Sequence, residues 1–500
     1  MLPFFAIVRL TCRSAVRSNV FRTLLFLLAL SVILIPNTIK GDGTATGFIQ
    51  LILEYSLGFV GAILSVSVAW VCCSEIASDV ESGQVHMIAV KPVHRCVVLL
   101  GKFVGVLVIH GVLLLLAAAV VYGFVMYQFM RQDFPAEERQ RVENEVLTGR
   151  RLIAPDKPDF AKMAKSELEM RRKSARSLEE SAAIERRLAG EGEREVLAGI
   201  EQELRRRNGE VEAGRVIFWS FSGLPEGVFE PIYVRYKLYT GTDSSKNQET
   251  TYGAWLLRAV SRMDRGEEGA EPEYTDNIIP LPPEEIMTRT RDEFGVQDTV
   301  LRVSGASEDL RRNIPPEVMR NLTEPLVHEG KFVLGYQNFD REGKKAIFQE
   351  VDGPFLMVRE TGFLNNYLRA VFVLFLGIAA VALVSSALAA YFTLPTSIFL
   401  AASYGLLCVF AVYLKGTMSD MGNDLSIGDR MAFSLSEGVS FLLIPVRDFF
   451  LTTELATGQL IDFALIGQLI LYNLVLRGLP LFLAGMLLYS LRELALAVKR

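Results

Sequence analysis

The chain has 500 residues, half of them hydrophobic, yet 22% are charged and the formal net charge is only −5. With a mean hydropathy of +0.29, apolar and charged residues must be segregated into blocks, which excludes an evenly mixed soluble composition and marks an integral membrane protein. The acidic balance gives no reason to expect a nucleic-acid partner.

At the N-terminus, Phe4, Phe5, Val8, Leu10 and Val16 alternate with Arg9, Arg13 and Arg17 at helical spacing. That pattern fits a helix lying in the headgroup layer, an elbow leading into the first span. The apolar run LLFLLALSVILIP follows, and NTIKGDGT after it lacks a small-x-small cleavage pattern, so the run reads as a retained anchor. Six spans are predicted in all, at 22–37, 48–72, 98–127, 370–391, 397–414 and 470–491. The longer runs exceed what is needed to cross ~30 Å of hydrocarbon at ~1.5 Å per helical residue.

Positive flanks set the orientation. Arg9, Arg13, Arg17 and Arg22 precede the first span, Lys91, Arg95 and Lys102 separate the second and third, and Arg492, Lys499 and Arg500 follow the last. Both termini are therefore expected in the cytoplasm and residues 129–365 outside it, in an inner (plasma) membrane. Between residues 415 and 460, Lys415, Arg430 and Arg447 are outnumbered by Asp420, Asp424, Asp429, Glu437, Asp448 and Glu454, as expected of an external segment.

Between the second and third spans lies SEIASDVESGQVHMIAVKPVHRCVVLLGK, a mixed-charge stretch wedged between apolar ones. The acidic part should extend the second span, Gly83 should end or bend it, VHMIAV should form a short apolar piece, and Lys91-Pro92 should stop that piece. The result is a compact protrusion with one apolar and one charged face.

The insert divides near residue 212. Residues 134–212 are charge-dense with many opposite charges three or four positions apart, a composition for solvated helices broken at Pro155 and Pro158. Ile184, Leu188, Leu197, Ile200 and Leu204 form an apolar stripe interrupted at Gly190 and Gly192, which suggests a helical hairpin or stalk. From residue 215 to 360, runs such as VIFWSF, IYVRYKLYT, TVLRVSG and KFVLGYQNF are separated by turn residues and read as strands of a two-sheet antiparallel sandwich. The predicted parts are a membrane half at 1–128, a stalk at 129–212, a β-sandwich at 213–365 and a second membrane half at 366–500. The fold class is thus an α-helical polytopic membrane protein with six transmembrane helices and an inserted extracytoplasmic α+β region.

Cys12, Cys72, Cys73, Cys96 and Cys408 all fall in or beside the membrane segments, so disulfides have no part in the insert. The four histidines are scattered, no metal centre is expected, and Gly101-Lys102 is followed by Phe103, so no phosphate-binding loop exists. No enzymatic activity and no resident cofactor are expected of this chain. Two candidates for a charge embedded in the membrane are Glu54 and Arg477, and burying either in hydrocarbon is costly. They would pair if they share a depth, which requires the last span to be confined to 470–491. If that helix starts near Asp462, Arg477 moves to mid-membrane, and each charge then faces a vestibule or snorkels separately.

Glu81-x-Gly83, Lys91-Pro92-x-x-Arg95 and Gly101-Lys102 resemble the connector of the type-2 ABC transporter permeases, including the branch related to the permease of nitrous-oxide-reductase maturation. The basic run before the first span and Leu491-Arg492-Glu493-Leu494 after the last are similar to that family too, and the large insert departs from its basic pattern. The resemblance implies a six-helix half-transporter that forms a homodimer or heterodimer. It would bind cytoplasmic ABC ATPase subunits, which hold the ATP and Mg, through a coupling helix carrying Glu75, Glu81, Gly83, Lys91, Pro92 and Arg95. ATP-driven closure would move that connector and lead to export or to force transmission to the external domain. The alternative is a membrane-anchored binding or scaffold protein for carbohydrate, peptidoglycan or protein, with Trp219, Tyr233, Tyr236, Tyr239 and Trp255 as a stacking platform.

Overall fold

The structure, a computed structural model, describes residues 2–38, 44–81, 93–174, 193–224, 232–236, 238–240, 248–258, 278–280, 284–291, 298–303, 310–314, 327–328, 330–340, 343–350, 353–419, 438, 441 and 443–491. They group into two compact units, residues 1–149 with 360–500, and residues 150–359.

In the first unit, α1 (Leu2–Arg17) and α2 (Asn19–Thr38) lead to α3 (Ala45–Glu81) and α4 (Arg95–Arg131). After α5 (Ala136–Glu145) and the insert come α8 (Phe363–Tyr391) and α9 (Leu394–Ser419). A short 3-10 turn (Val446–Phe449) and α10 (Thr452–Ala456) then precede the last helical rod, Phe463–Leu491. That rod is built from α11 (Phe463–Gln468), a π-helical segment (Leu469–Gly478) and α12 (Leu479–Leu491).

Helices α3, α4 and α8 share one apolar core, with Ile49, Leu53 and Val60 facing Val106, Leu114, Val121, Val373 and Ile378. The opposite side of α4 is apolar as well, with Val112, Leu115, Leu116 and Val120 exposed. A helix hydrophobic all round belongs in hydrocarbon rather than on a water-facing surface.

Four helices are long and apolar enough to cross a membrane: Ala45–Ala77, Arg95–Arg131, Phe363–Tyr391 and Phe463–Leu491. By length and composition the chain is therefore a membrane protein. At the other two expected spans the chain is also helical, but the apolar runs among the described side chains, Phe21–Ser31 and Leu394–Phe410, are shorter.

The charge-dense segment is not helical throughout. After α5 the run TGRRLI forms strand β1 (Thr148–Ile153), which takes an edge position beside β14 (Phe355–Gly362) in a four-stranded sheet that continues through β4 (Ile232–Tyr236) to β10 (Leu310–Ile314). Tertiary pairing overrides local helical composition there. Helices α6 (Phe160–Ser174) and α7 (Glu193–Arg207) pack through Ala164, Leu168, Val196 and Ile200, with Leu197 and Leu204 alongside. Ile184, Leu188, Gly190 and Gly192 lie outside the described residues.

The β unit has three sheets among its described residues, not two. In the seven-stranded one, β12 (Lys331–Asn338) pairs antiparallel with β3 (Val216–Phe221), bringing Leu334 opposite Trp219. Its other side pairs with β6 (Gln248–Arg258), bringing Tyr336 opposite Trp255. The third sheet consists of the two-residue strands β2 (Glu210–Val211), β13 (Ala346–Ile347) and β5 (Tyr239–Thr240). Residues from all three enclose one core of Val211, Val234, Tyr236, Trp255, Leu334, Tyr336, Ala346 and Phe348. Tyr236 and Trp255 meet edge to face at 4.7 Å between ring centres, and both are fully buried. Tyr233 is buried too and Trp219 is half-buried, packed edge-on against Phe348. Tyr236, Trp255 and Trp219 belong to the core that holds the sheets together, and Tyr233 lies beneath the Arg150 guanidinium, 4.6 Å from the ring centre, so these rings do not present a stacking surface. The Tyr239 side chain lies outside the described ones.

Candidate coupling site and intramembrane charges

Helix α3 runs to Glu81, and α4 restarts at Arg95 behind His94, whose Nδ1 accepts the Cys96 amide N–H at 3.3 Å and so caps the new helix. Of the expected coupling residues, Gly83, Lys91 and Pro92 lie outside the described residues, as does the Glu81 side chain. Glu75 and Arg95 are described, and each is tied to a different helix.

Glu75 Oε1 accepts a hydrogen bond from Ser14 Oγ of α1 at 2.8 Å, and its backbone carbonyl accepts one from Lys102 Nζ of α4. Lys102 is only 7% exposed, so this contact helps offset the cost of burying an ammonium. Arg95 Nη1 donates to the Ser490 carbonyl at 3.0 Å. Ser490 stands in the last turn of α12, where carbonyls lack helical partners and the helix dipole favours a cation.

Helix α1 is held against α4 at Gly101-x-x-x-Gly105. A Cβ on Gly101 would meet Ile7 at 2.8 Å and one on Gly105 would meet Thr11 at 2.8 Å, so the two backbones approach as small-x-x-x-small pairs permit. Cys12 Sγ adds a donor to the Gly105 carbonyl at 3.4 Å, and burial raises its thiol pKa above the usual range. The two ends of the connector therefore reach α1, α3, α4 and α12 together. Gly101-Lys102 was marked from the sequence as part of the connector, whereas Ser14, Ser490 and the pairing of Gly101 with Gly105 were not, although the spacing of the glycines was visible there.

Glu54 and Arg477 are not brought together. Glu54 Oε1 accepts from Thr453 Oγ1 of α10 at 2.7 Å. Arg477 Nη1 donates to Asn473 Oδ1 at 3.0 Å, and its guanidinium lies 5.7 Å from the centre of the Phe441 ring. The reason is depth. The last span begins at Phe463 behind Asp462, which makes Arg477 its central residue, roughly 20 Å from either end, whereas Glu54 lies about 14 Å into α3. A further buried polar pair links α3 to α4: the Val106 carbonyl accepts from His110 Nδ1 at 2.8 Å, leaving Nε2 to accept from Ser67 Oγ at 2.9 Å. Among the described residues no group of histidine, cysteine and carboxylate side chains could hold a metal ion.

Comparison of the chain with protein families, curated proteins and solved structures gives no match.

Proposed function

We propose that the chain is the membrane subunit of an ABC-type complex, in which separate cytoplasmic ATPase subunits dock on residues 75–95 and drive the helix bundle. On this reading six helices cross an inner membrane, both termini are cytoplasmic, and a second permease copy or relative completes the assembly. The work done is export of a substrate or transmission of force to the external residues.

One observation carries the reading: both described ends of the connector are bonded into other helices. Glu75 is joined to α1 through Ser14 and to α4 through Lys102, and Arg95 is joined to α12 through the Ser490 carbonyl. A displacement of either end is passed directly to the helices bonded to it. Helices α3 and α4 are 37 residues each, about 55 Å, so each is a rod longer than the hydrocarbon is thick. Of the five aromatics that the anchored scaffold alternative would use, Tyr233, Tyr236 and Trp255 are buried, which favours the coupling reading.

The test is co-purification of the ATPase with the detergent-solubilised chain. Glu81→Ala and Arg95→Ala should each lower ATPase association while the membrane subunit remains monodisperse. Unchanged association in both variants would remove the coupling assignment.

A further inference from the structure

Arg477 is the central residue of the Phe463–Leu491 span, and among the described residues no carboxylate lies within ion-pair distance of it. A guanidinium at that depth in hydrocarbon costs several kcal/mol unless something neutralises or hydrates it. An asparagine amide and an aromatic ring stabilise a cation without supplying a negative charge. Asn473 is itself 4% exposed and stands one turn before Arg477, so its carbonyl oxygen fixes where the guanidinium points.

The backbone around this arginine is also unusual. Pro480 has no N–H to give the carbonyl four residues earlier, and the chain adopts π-helical geometry just before it. The Leu479 N–H bonds the Leu474 carbonyl five residues back. Arg477 is half-buried, and Tyr404 of α9 lies within its electrostatic reach. Around it the span is the least enclosed of the four, and Tyr472, Val475, Leu476, Leu479 and Leu483 are exposed. Thus a half-buried cation borders an apolar surface that lipid chains can cover.

We propose that Arg477, positioned by Asn473, is a binding site for the anionic head of an amphiphile, a phosphate or carboxylate carrying acyl chains, which enters from the bilayer. The head group supplies a negative charge that no described residue provides, through charge-assisted hydrogen bonds, and the chains lie against Leu476, Leu479 and Leu483. The site does not depend on which motor, if any, drives the bundle.

The test titrates the full-length, detergent-purified protein with dioleoylphosphatidylglycerol, dioleoylphosphatidylcholine, oleate and inorganic phosphate, reading bound species by native mass spectrometry. Arg477→Gln should weaken phosphatidylglycerol or oleate binding about tenfold or more, as expected for loss of a charged hydrogen-bond partner, and leave phosphatidylcholine unchanged. Arg477→Lys should retain most of the affinity, Asn473→Ala should lose an intermediate share, and Arg447→Gln, outside the span, should lose none. The lysine variant keeps the test decisive if glutamine destabilises the bundle. Equal anionic-amphiphile binding by wild type and Arg477→Gln would overturn the site. So would competition by inorganic phosphate at the lipid's own affinity, which would assign a free anion instead. A cross-link showing that a carboxylate from residues 420–437 or from a second protein occupies the guanidinium would overturn it as well.

Discussion

Substituting Gly105 by alanine tests whether α1 is part of the working bundle. The added Cβ would stand 2.8 Å from Thr11 Cβ, 3.1 Å from Thr11 Cγ2 and 3.1 Å from the Val8 carbonyl oxygen. Thr11 cannot rotate away cheaply, because its hydroxyl donates to the Ile7 carbonyl at 3.0 Å, and the Val8 oxygen is backbone. Helix α1 must therefore move outward. Overpacking of this kind costs about 1–3 kcal/mol. Glycine to alanine in a helix also gains roughly 0.5–1 kcal/mol of intrinsic preference, which would mask part of the loss. Gly123→Ala removes the ambiguity: it lies in the same helix with nothing within 4 Å of its would-be Cβ, so it reports the preference alone. The difference between the two variants isolates the packing cost, and an SDS or thermal unfolding titration of the purified protein should separate them by about 1–3 kcal/mol. Indistinguishable midpoints would mean that α1 does not dock on α4, and the path from Glu75 through Ser14 would fall with it.

The same displacement should expose Cys12. Burial disfavours its thiolate and raises the thiol pKa, so at fixed pH wild-type Cys12 should alkylate slowly and Gly105→Ala should accelerate it several-fold; an unchanged rate would contradict the crossing. Ser67→Ala leaves His110 Nε2 without its hydroxyl and should cost about 1 kcal/mol, with part of that loss recovered when His110→Leu is added, as measured by a double-mutant cycle on unfolding midpoints. Gly485→Ala places a Cβ 2.6 Å from Ala387 Cα, a backbone atom of α8 that cannot rotate aside, so it should loosen the last span by about 2–3 kcal/mol and raise protease susceptibility near residue 462. Arg171→Ala removes ion pairs to Glu167 and Glu203, yet all three side chains are substantially solvated, so unfolding of the α6–α7 pair should change by less than about 1 kcal/mol, whereas Leu168→Ala should cost more.

Hydrophobic blocks, basic flanks and the run of alternating aromatics were legible because each is a one-dimensional consequence of burial: hydrocarbon demands length, and a strand demands period two. From these alone followed the membrane character, the helices around residues 48–72, 98–127 and 370–391, and the β-rich part of the insert. Other features depended on which surfaces meet. TGRRLI carries charge like its helical neighbours and became a strand only because a sheet edge accepted its backbone. Trp219 and Phe221 of β3, Tyr236 of β4 and Trp255 of β6 turned inward because three sheets close around them, whereas Phe218 of β3 is exposed, and no periodicity says which face of a strand is covered. From sequence Glu54 and Arg477 could either pair or stand apart, and their separation depends on where the last span begins. Glu75 and Arg95 were marked by the connector, while the groups they bind, Ser14 and the Ser490 carbonyl, lie far away in sequence and became neighbours only through helix packing. Sequence states what must be hidden from water; packing chooses which group hides it, because a hydrogen bond is settled by ångström distances between elements that no local pattern encodes.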